Sequence, residues 1–491
     1  MQKYLLIFVF LIICQSASAH FDFNANCIKA YEHILALRLN TAKTLLSNEK
    51  KNNPQNAIPY LLDNYVDFFT LLTTENKEDF ERLKANKSSR LKRIEQDDKT
   101  SPYYLFSQAE INLQWALSRS RFDEYFTAGI EINKAHNLLQ ENSRKFPGFL
   151  PNRKGLGTID ALLGAMPEGL RRTMSVFGIK GNVQQGQRTL ESLVKALPDS
   201  EYAFFYDESV FYLAYVQIDI MGDKGSYSKI MNYTRPIDSS SLLRTYIRAY
   251  VAMKTAHNAE AIATLGNRPE GKEYQPYPFL DYLLGMAELN ALNKNAAVHF
   301  QTYLNNYHGI NFIKDTYLKL AWIELLKGNS GGYQQYVAKV RSEGYTYDEK
   351  DKQALYEANS PAPDLDLLKA RLAFDGGYYE KALEQLQDKK VTDFKILRDK
   401  IEYNYRLGRI YDLSNRDDLA LKYYQLAVNL GRNEQYYYAA NAALFSGNIY
   451  EQKRDLPQAK LFYNTALGMK NHQYQNSIDS KAKAGLRRIG N

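Results

Sequence analysis

The chain has 491 residues, 45% apolar and 24% charged, with a mildly basic formal charge of +8. That composition is globular and excludes both a collagen-like and a disordered chain. Fourteen prolines and 27 glycines stand against 39 tyrosines, and so few helix breakers argue against a sandwich or barrel with many tight turns and for an all-α fold.

At the N-terminus, Lys3 precedes an apolar run over residues 5–13 and then Ala17-Ser18-Ala19, the pattern of a signal peptide cut after Ala19. The run is too short to span a membrane, and no later stretch reaches the length of a spanning helix. The expectation is export to the periplasm or the outer membrane of a Gram-negative cell envelope, with at most peripheral membrane attachment. The alternative is a lipoprotein held through Cys14, where the bulky Ile13 fits the lipoprotein peptidase poorly. Without the leader Cys27 has no partner, so no internal disulfide forms and helix packing must hold the fold.

Further along, Ala42, Leu46 and Pro54 have the spacing of a second hairpin helix and its closing proline. The basic residues Lys84, Lys87, Arg90, Lys92 and Arg93 are followed at once by Glu95, Asp97 and Asp98, as on a solvated helix face. They lack the interleaved aromatics of a nucleic-acid site, so no nucleic-acid partner is expected. Phe146-Pro147-Gly148-Phe149-Leu150-Pro151 and Gly155-Leu156-Gly157 interrupt the helical period before an apolar helix over residues 159–163. Ala249 with Ala261 and Leu265, Gly285 with Ala297 in a unit starting near Pro278, and Tyr317 with Leu320 and Ala321 each fit degenerate helical hairpins. Asn359-Ser360-Pro361-Ala362-Pro363 reads as a linker, and Phe374 to Leu383 as another turn and second helix. The predicted organisation is a divergent helical region over 20–195, degenerate hairpins over 196–358 and regular units with a capping helix over 364–491.

The regular units show the repeat directly. Gly408, Tyr411, Ala420, Tyr424 and Ala427 recur 39 residues later as Gly447, Tyr450, Ala459, Tyr463 and Ala466. Steps of three and four place these residues on one helix face, and the gap of nine spans a polar turn, so each unit is a helical hairpin. Numbered from Ile401 and Ala440, this pattern resembles the tetratricopeptide repeat (TPR) superfamily, whose small and aromatic positions all match in both copies. The resemblance implies a right-handed superhelical solenoid of stacked hairpins. Pro167-Glu168-Gly169-Leu170, the turn from Phe177 to Asn182, and Gly186 with Leu190 resemble the tetratricopeptide repeat protein 39 family, with Asn182 where that family tends to have Asp. Members of that family are not known as enzymes.

In TPR arrays the first helix of each unit lines the concave face. The resemblance therefore implies Glu402, Tyr405, Arg409 and Asp412 in one unit, Asn441, Leu444, Asn448 and Glu451 in the next, and Phe279, Tyr282, Met286 and Leu289 in the unit near Pro278 as partner-binding positions. The histidines never pair at helical spacing, no Walker-type loop occurs, and Ser47-x-x-Lys50 and Ser226-x-x-Lys229 lack the companion motifs of a serine-lysine acylase. No catalytic residue, cofactor or metal is expected. The reading is a non-enzymatic scaffold binding a protein or peptide through its concave face. One alternative is a glycan- or small-molecule-binding repeat protein, with Tyr436-Tyr437-Tyr438 and Tyr423-Tyr424 as stacking surfaces. A hydrolase with a non-sequential site is the other.

Overall fold

The computed structural model describes residues 21–166 and 181–490. The leader, Cys14 and the 167–170 and 177–180 segments lie outside the described residues. Among the described residues every regular element is helical. The first group is α1 Ala25–Leu35, α2 Leu39–Asn52, α3 Ile58–Thr74, α4 Lys77–Leu83, α5 Asn86–Glu95, α6 Pro102–Arg121, α7 Tyr125–Lys145, α8 Asn152–Ala165 and α9 Val183–Ala196. The second is α10 Tyr206–Tyr215 with a π turn Val216–Ile220, α11 Tyr227–Tyr233, α12 Leu242–Lys254, α13 Asn258–Gly266, α14 Phe279–Asn290, α15 Ala296–Asn306, α16 Ile313–Leu326, α17 Ser330–Ser342 and α18 Glu349–Ala358. The last is α19 Leu365–Asp375, α20 Tyr379–Glu384, α21 Leu397–Leu413, α22 Asp417–Gly431, α23 Tyr437–Gln452, α24 Leu456–Gly468 and α25 Gln475–Arg488. Consecutive helices pair as antiparallel hairpins, and neighbouring hairpins stack, making a TPR-like helical-repeat solenoid.

One local device builds the hairpins. A buried Ala or Gly in the first helix is followed seven residues later by a residue at positive φ: Ala30 and Leu37, Ala116 and Asp123, Ala249 and Ala256, Gly285 and Leu292. Ala321 and Gly328, Ala370 and Gly377, Gly408 and Asn415, and Gly447 and Arg454 continue the series. In each case the next residue donates its backbone N–H to the carbonyl five residues back, as in Arg38 to His33 (2.8 Å), His257 to Ala252 (2.8 Å) and Asp455 to Tyr450 (2.9 Å). This is the Schellman closure, which satisfies helix-end carbonyls and reverses the chain. The small residue then lets the second helix approach. A Cβ on Gly408 would lie 2.4 Å from the Tyr424 ring, and one on Gly447 2.7 Å from that of Tyr463.

The second helix returns its own buried residue twelve positions after the first, at Ala42, Ala128, Ala261, Ala382, Ala420 and Ala459. The α14/α15 hairpin departs by one. There Ala296 is fully buried and the expected Ala297 only partly, because the longer 292–295 turn re-phases α15.

The solenoid does not stay open. The carbonyls ending α1 accept bonds from far along the chain, Ala36 from Leu242 N–H (3.4 Å) and Leu37 from Gln275 N–H (2.7 Å). Arg38 pairs with Asp238 at 2.9 Å. Beyond α3, Tyr307 donates to Glu75 (2.8 Å) and Asn76 to the His308 carbonyl (3.1 Å). Residues from Cys27 to Leu372 consequently share one apolar core, while the C-terminal hairpins hold two smaller ones.

A buried ionic knot ties the first part of this closed turn. Lys154 Nζ donates to Glu110 (2.8 Å), Glu208 (2.5 Å) and the Tyr65 hydroxyl (2.8 Å), and Tyr31 donates to Glu208. Lys154 and Glu110 are fully buried, and Glu208 is 1% exposed. Burial works against the Lys154 charge, but the two carboxylates outweigh it and raise its pKa, while burial raises that of Glu208 despite Lys154. Five helices, α1, α3, α6, α8 and α10, meet there.

Two stability measurements check this architecture. Leu292→Gly relieves left-handed strain and should raise the unfolding free energy by about 0.5–1 kcal/mol in urea titration. Lys154→Met should lower it by about 3–5 kcal/mol by stranding two buried carboxylates, with much of the loss recovered when Glu110→Gln and Glu208→Gln are added.

Candidate functional site

Closure of the turn leaves a chamber of about 510 Å³ in its middle. Its wall draws on the ends of α3 and α6, on α10 with its π turn, on α12, and on the segments entering α14, α16 and α18. Aromatic side chains dominate it: Phe68, Phe122, Tyr125, Phe211, Tyr212, Tyr215, Tyr246, Tyr250, Tyr277, Phe279, Tyr307, Phe312 and Tyr347. Their rings brace one another, with Tyr246 5.5 Å from Tyr250 and 5.8 Å from Tyr277, and Phe279 4.9 Å from Phe312. A rigid aromatic wall around a volume of this size suits a compact ligand.

The polar groups in the wall divide into spent and unspent. Glu75 Oε2 accepts from the Tyr307 hydroxyl and from Asn311 Nδ2 at 3.1 Å. Asp219 accepts from the Tyr250 hydroxyl at 2.5 Å, and Asp348 caps α18 by accepting from Lys350 N–H at 2.8 Å. Burial raises the Asp219 pKa, opposed by the Tyr250 hydroxyl and by nearby Lys254 and Arg121. Arg121, the last residue of α6, differs from these: it lines the chamber, its side chain is 42% exposed, and its nearest acid is Glu75 at 3.5 Å, an ion pair without a hydrogen bond. Burial opposes its charge, yet Glu75 and the surrounding tyrosines hold its pKa above the ordinary value. Two buried wall atoms, the Tyr212 hydroxyl and Asn311 Oδ1, have no hydrogen-bond partner.

The expected concave-face residues lie elsewhere, Phe279 excepted. Tyr282 is buried and donates to Asp315 (2.7 Å), Met286 is half-buried against the core, and Leu289 is buried. In the C-terminal hairpins Glu402 accepts from Arg406 at 2.8 and 3.0 Å, and the Tyr405 hydroxyl accepts from Asn441 at 3.3 Å. Arg409 stacks 3.8 Å above the Phe445 ring, and Asp412 accepts from the Tyr424 hydroxyl at 2.8 Å. Leu444 is buried. The Tyr463 hydroxyl lies within hydrogen-bond distance of both Asn448 and Glu451, and Arg488 of α25 adds two bonds to Glu451 at 2.7 Å. Within the expected set the structure joins Asn441 to Tyr405 and sets Arg409 3.8 Å from Asp412, while the remaining contacts go to neighbouring side chains outside it. Of the tyrosine clusters, Tyr424 is fully buried and Tyr438 nearly so, while Tyr437 packs on Tyr405, Tyr438 and Tyr474.

Arg121, Glu75, Asp219, Tyr246 and Tyr277 were not singled out by spacing or motif. Their only sequence signal is the abundance of tyrosine. Among the described residues no group of His, Cys, Asp and Glu could hold a metal ion.

The C-terminal pairing is testable by itself. Arg409→Ala should destabilise the C-terminal hairpins by about 1–2 kcal/mol through the lost Phe445 stacking, seen as faster hydrogen exchange over residues 401–468, and should leave the chamber unchanged.

No family model matches the chain, and no curated protein matches it. Among solved structures it is similar to a monomeric mutant of IFIT1 solved with m7Gppp-AAAA, at 14% identity over 89% of this chain and 79% of that one, with a TM-score of 0.28. The assignment to a TPR-like architecture rests on the chain's own repeating hairpins.

Proposed function

We propose that this protein is a non-catalytic binding protein that holds a compact, ring-bearing ligand inside its closed superhelical turn. The observation behind this reading is the aromatic chamber of about 510 Å³, within the size range of small-molecule sites. Its wall offers flat surfaces for stacking and a few placed polar groups for orientation, and no pair of groups poised as nucleophile and base. The positions in the C-terminal hairpins where a peptide groove was expected spend most of their polar atoms on neighbouring side chains of the same hairpins. That arrangement supports a rigid arm which presents the loaded turn to a protein partner. The leader pattern at residues 1–19 supports placing the protein in the periplasm or at the outer membrane, and among the described residues no helix is long and apolar enough to cross a membrane.

The neutral two-ring fluorophore N-phenyl-1-naphthylamine tests the site. It should bind saturably with enhanced emission. Ser120→Trp, which fills space from a half-buried wall position, should weaken it at least about tenfold while the thermal transition stays in place. Non-saturable binding, or full binding by a folded Ser120→Trp variant, would remove the chamber as the site.

A further inference from the structure

We propose that the chamber selects an organic anion: a body of one or two rings held between the tyrosine and phenylalanine walls, with a carboxylate or sulfonate docked on Arg121. This rests on the chamber being the binding site, as proposed above.

The argument is a count of which polar groups remain available. An incoming group meets three wall carboxylates and two wall cations. Each carboxylate already has a donor: Glu75 holds Tyr307 and Asn311, Asp219 holds Tyr250, and Asp348 is bound to the backbone of its own helix. The cations have not spent their donors. Arg121 makes no hydrogen bond among the described residues, its one ion pair is stretched to 3.5 Å, and it lines the chamber with 42% of its side chain exposed. A guanidinium carries five N–H donors in a planar fork that matches two oxygens of an oxyanion. Lys350 stands on the same wall, and its ammonium likewise forms no hydrogen bond among the described residues.

Beside the unpartnered Asn311 Oδ1 and Tyr212 hydroxyl, the wall offers the unused donors of Arg121 and Lys350, and the guanidinium fork favours an acceptor-only head group. The setting strengthens such a contact. Arg121 ends α6 on the wall that Tyr246 and Tyr277 also line, so a charge-assisted bond made inside the chamber is less screened than at an open surface. Glu75 supports the site from behind: its Tyr307 and Asn311 bonds fix the carboxylate, and its charge keeps the guanidinium beside it without occupying the fork. Arg121 and the Tyr246, Tyr277 and Phe279 part of the ring wall come from segments more than a hundred residues apart, so head group and body are read by different parts of the turn. A bound anion would bridge them.

A matched pair of probes separates this inference from the one beneath it. 1-Anilinonaphthalene-8-sulfonate has the ring body of N-phenyl-1-naphthylamine plus one anionic group. Arg121→Gln should weaken the sulfonate about 10–100-fold, the worth of a charge-assisted contact, and change the neutral probe less than about threefold. Arg121→Lys keeps the charge but not the fork and should fall between Gln and wild type for the sulfonate. Thermal melts of both variants establish that the turn is intact. If both probes bind and Arg121→Gln leaves the sulfonate within threefold of wild type, or weakens both probes equally, the anion inference is wrong and the chamber stands. If neither probe binds wild-type protein in the chamber, the underlying site is wrong.

Discussion

A helical hairpin has two apolar faces and cannot bury both alone, so every unit of this chain needs a neighbour on each side. The first hairpin would be left with a bare face if the solenoid ran straight. Here that face is covered by the chain's own middle. The carbonyls of Ala36 and Leu37 accept from Leu242 and Gln275, and Arg38 reaches Asp238. This self-contact turns a ribbon of hairpins into a closed turn, and a closed turn of helices about 10 Å thick has a middle that side chains only partly fill. The chamber is thus a consequence of the closure.

The ionic knot at Lys154 belongs to the same logic. A lysine, two glutamates and two tyrosines at one buried point are costly to desolvate, and an apolar cluster would serve stability as well. What the knot adds is directionality, since each of five helices must arrive at one angle for every donor to find its acceptor. Tyr212 and Thr158 line the chamber from helices that also meet the knot. The wall is accordingly built on fixed elements, as a preorganised site requires. The C-terminal hairpins add two smaller cores and are tied to the middle of the chain through Arg371, which pairs with Glu357 and lies over Trp322.

The parts of this fold legible in the sequence were those where one residue type recurs at one spacing. Gly408 and Gly447, with Tyr424 and Tyr463 twelve plus four residues on, announce the hairpin because a Cβ at either glycine would strike the ring. The upstream copies were harder to read because their common feature is a backbone conformation. Leu37, Asp123, Ala256 and Leu292 share a positive φ and no side-chain chemistry, so of the accompanying small residues only Ala249 and Gly285 were visible. Carrying TPR concave positions onto Glu402, Arg409 or Glu451 gave no sign of the neighbours, such as Arg406, Phe445 and Arg488, that occupy those side chains. The chamber left almost no trace, since its wall runs from Phe68 to Lys350 and its tyrosines are hidden among many that pack helices together. Arg121 reads in sequence as an ordinary basic helix end, and only the closure of the turn gives it an interior to face.

The most direct test of the account is a crystal structure of the full mature chain soaked with 4-bromobenzoate, read from the anomalous scattering of its bromine. The account predicts a bromine peak inside the chamber against the wall that Tyr246, Tyr277 and Phe279 form together, with the carboxylate across the Arg121 guanidinium at about 2.8–3.0 Å. An empty chamber, with bromine only on the C-terminal hairpins or at the surface, would contradict it.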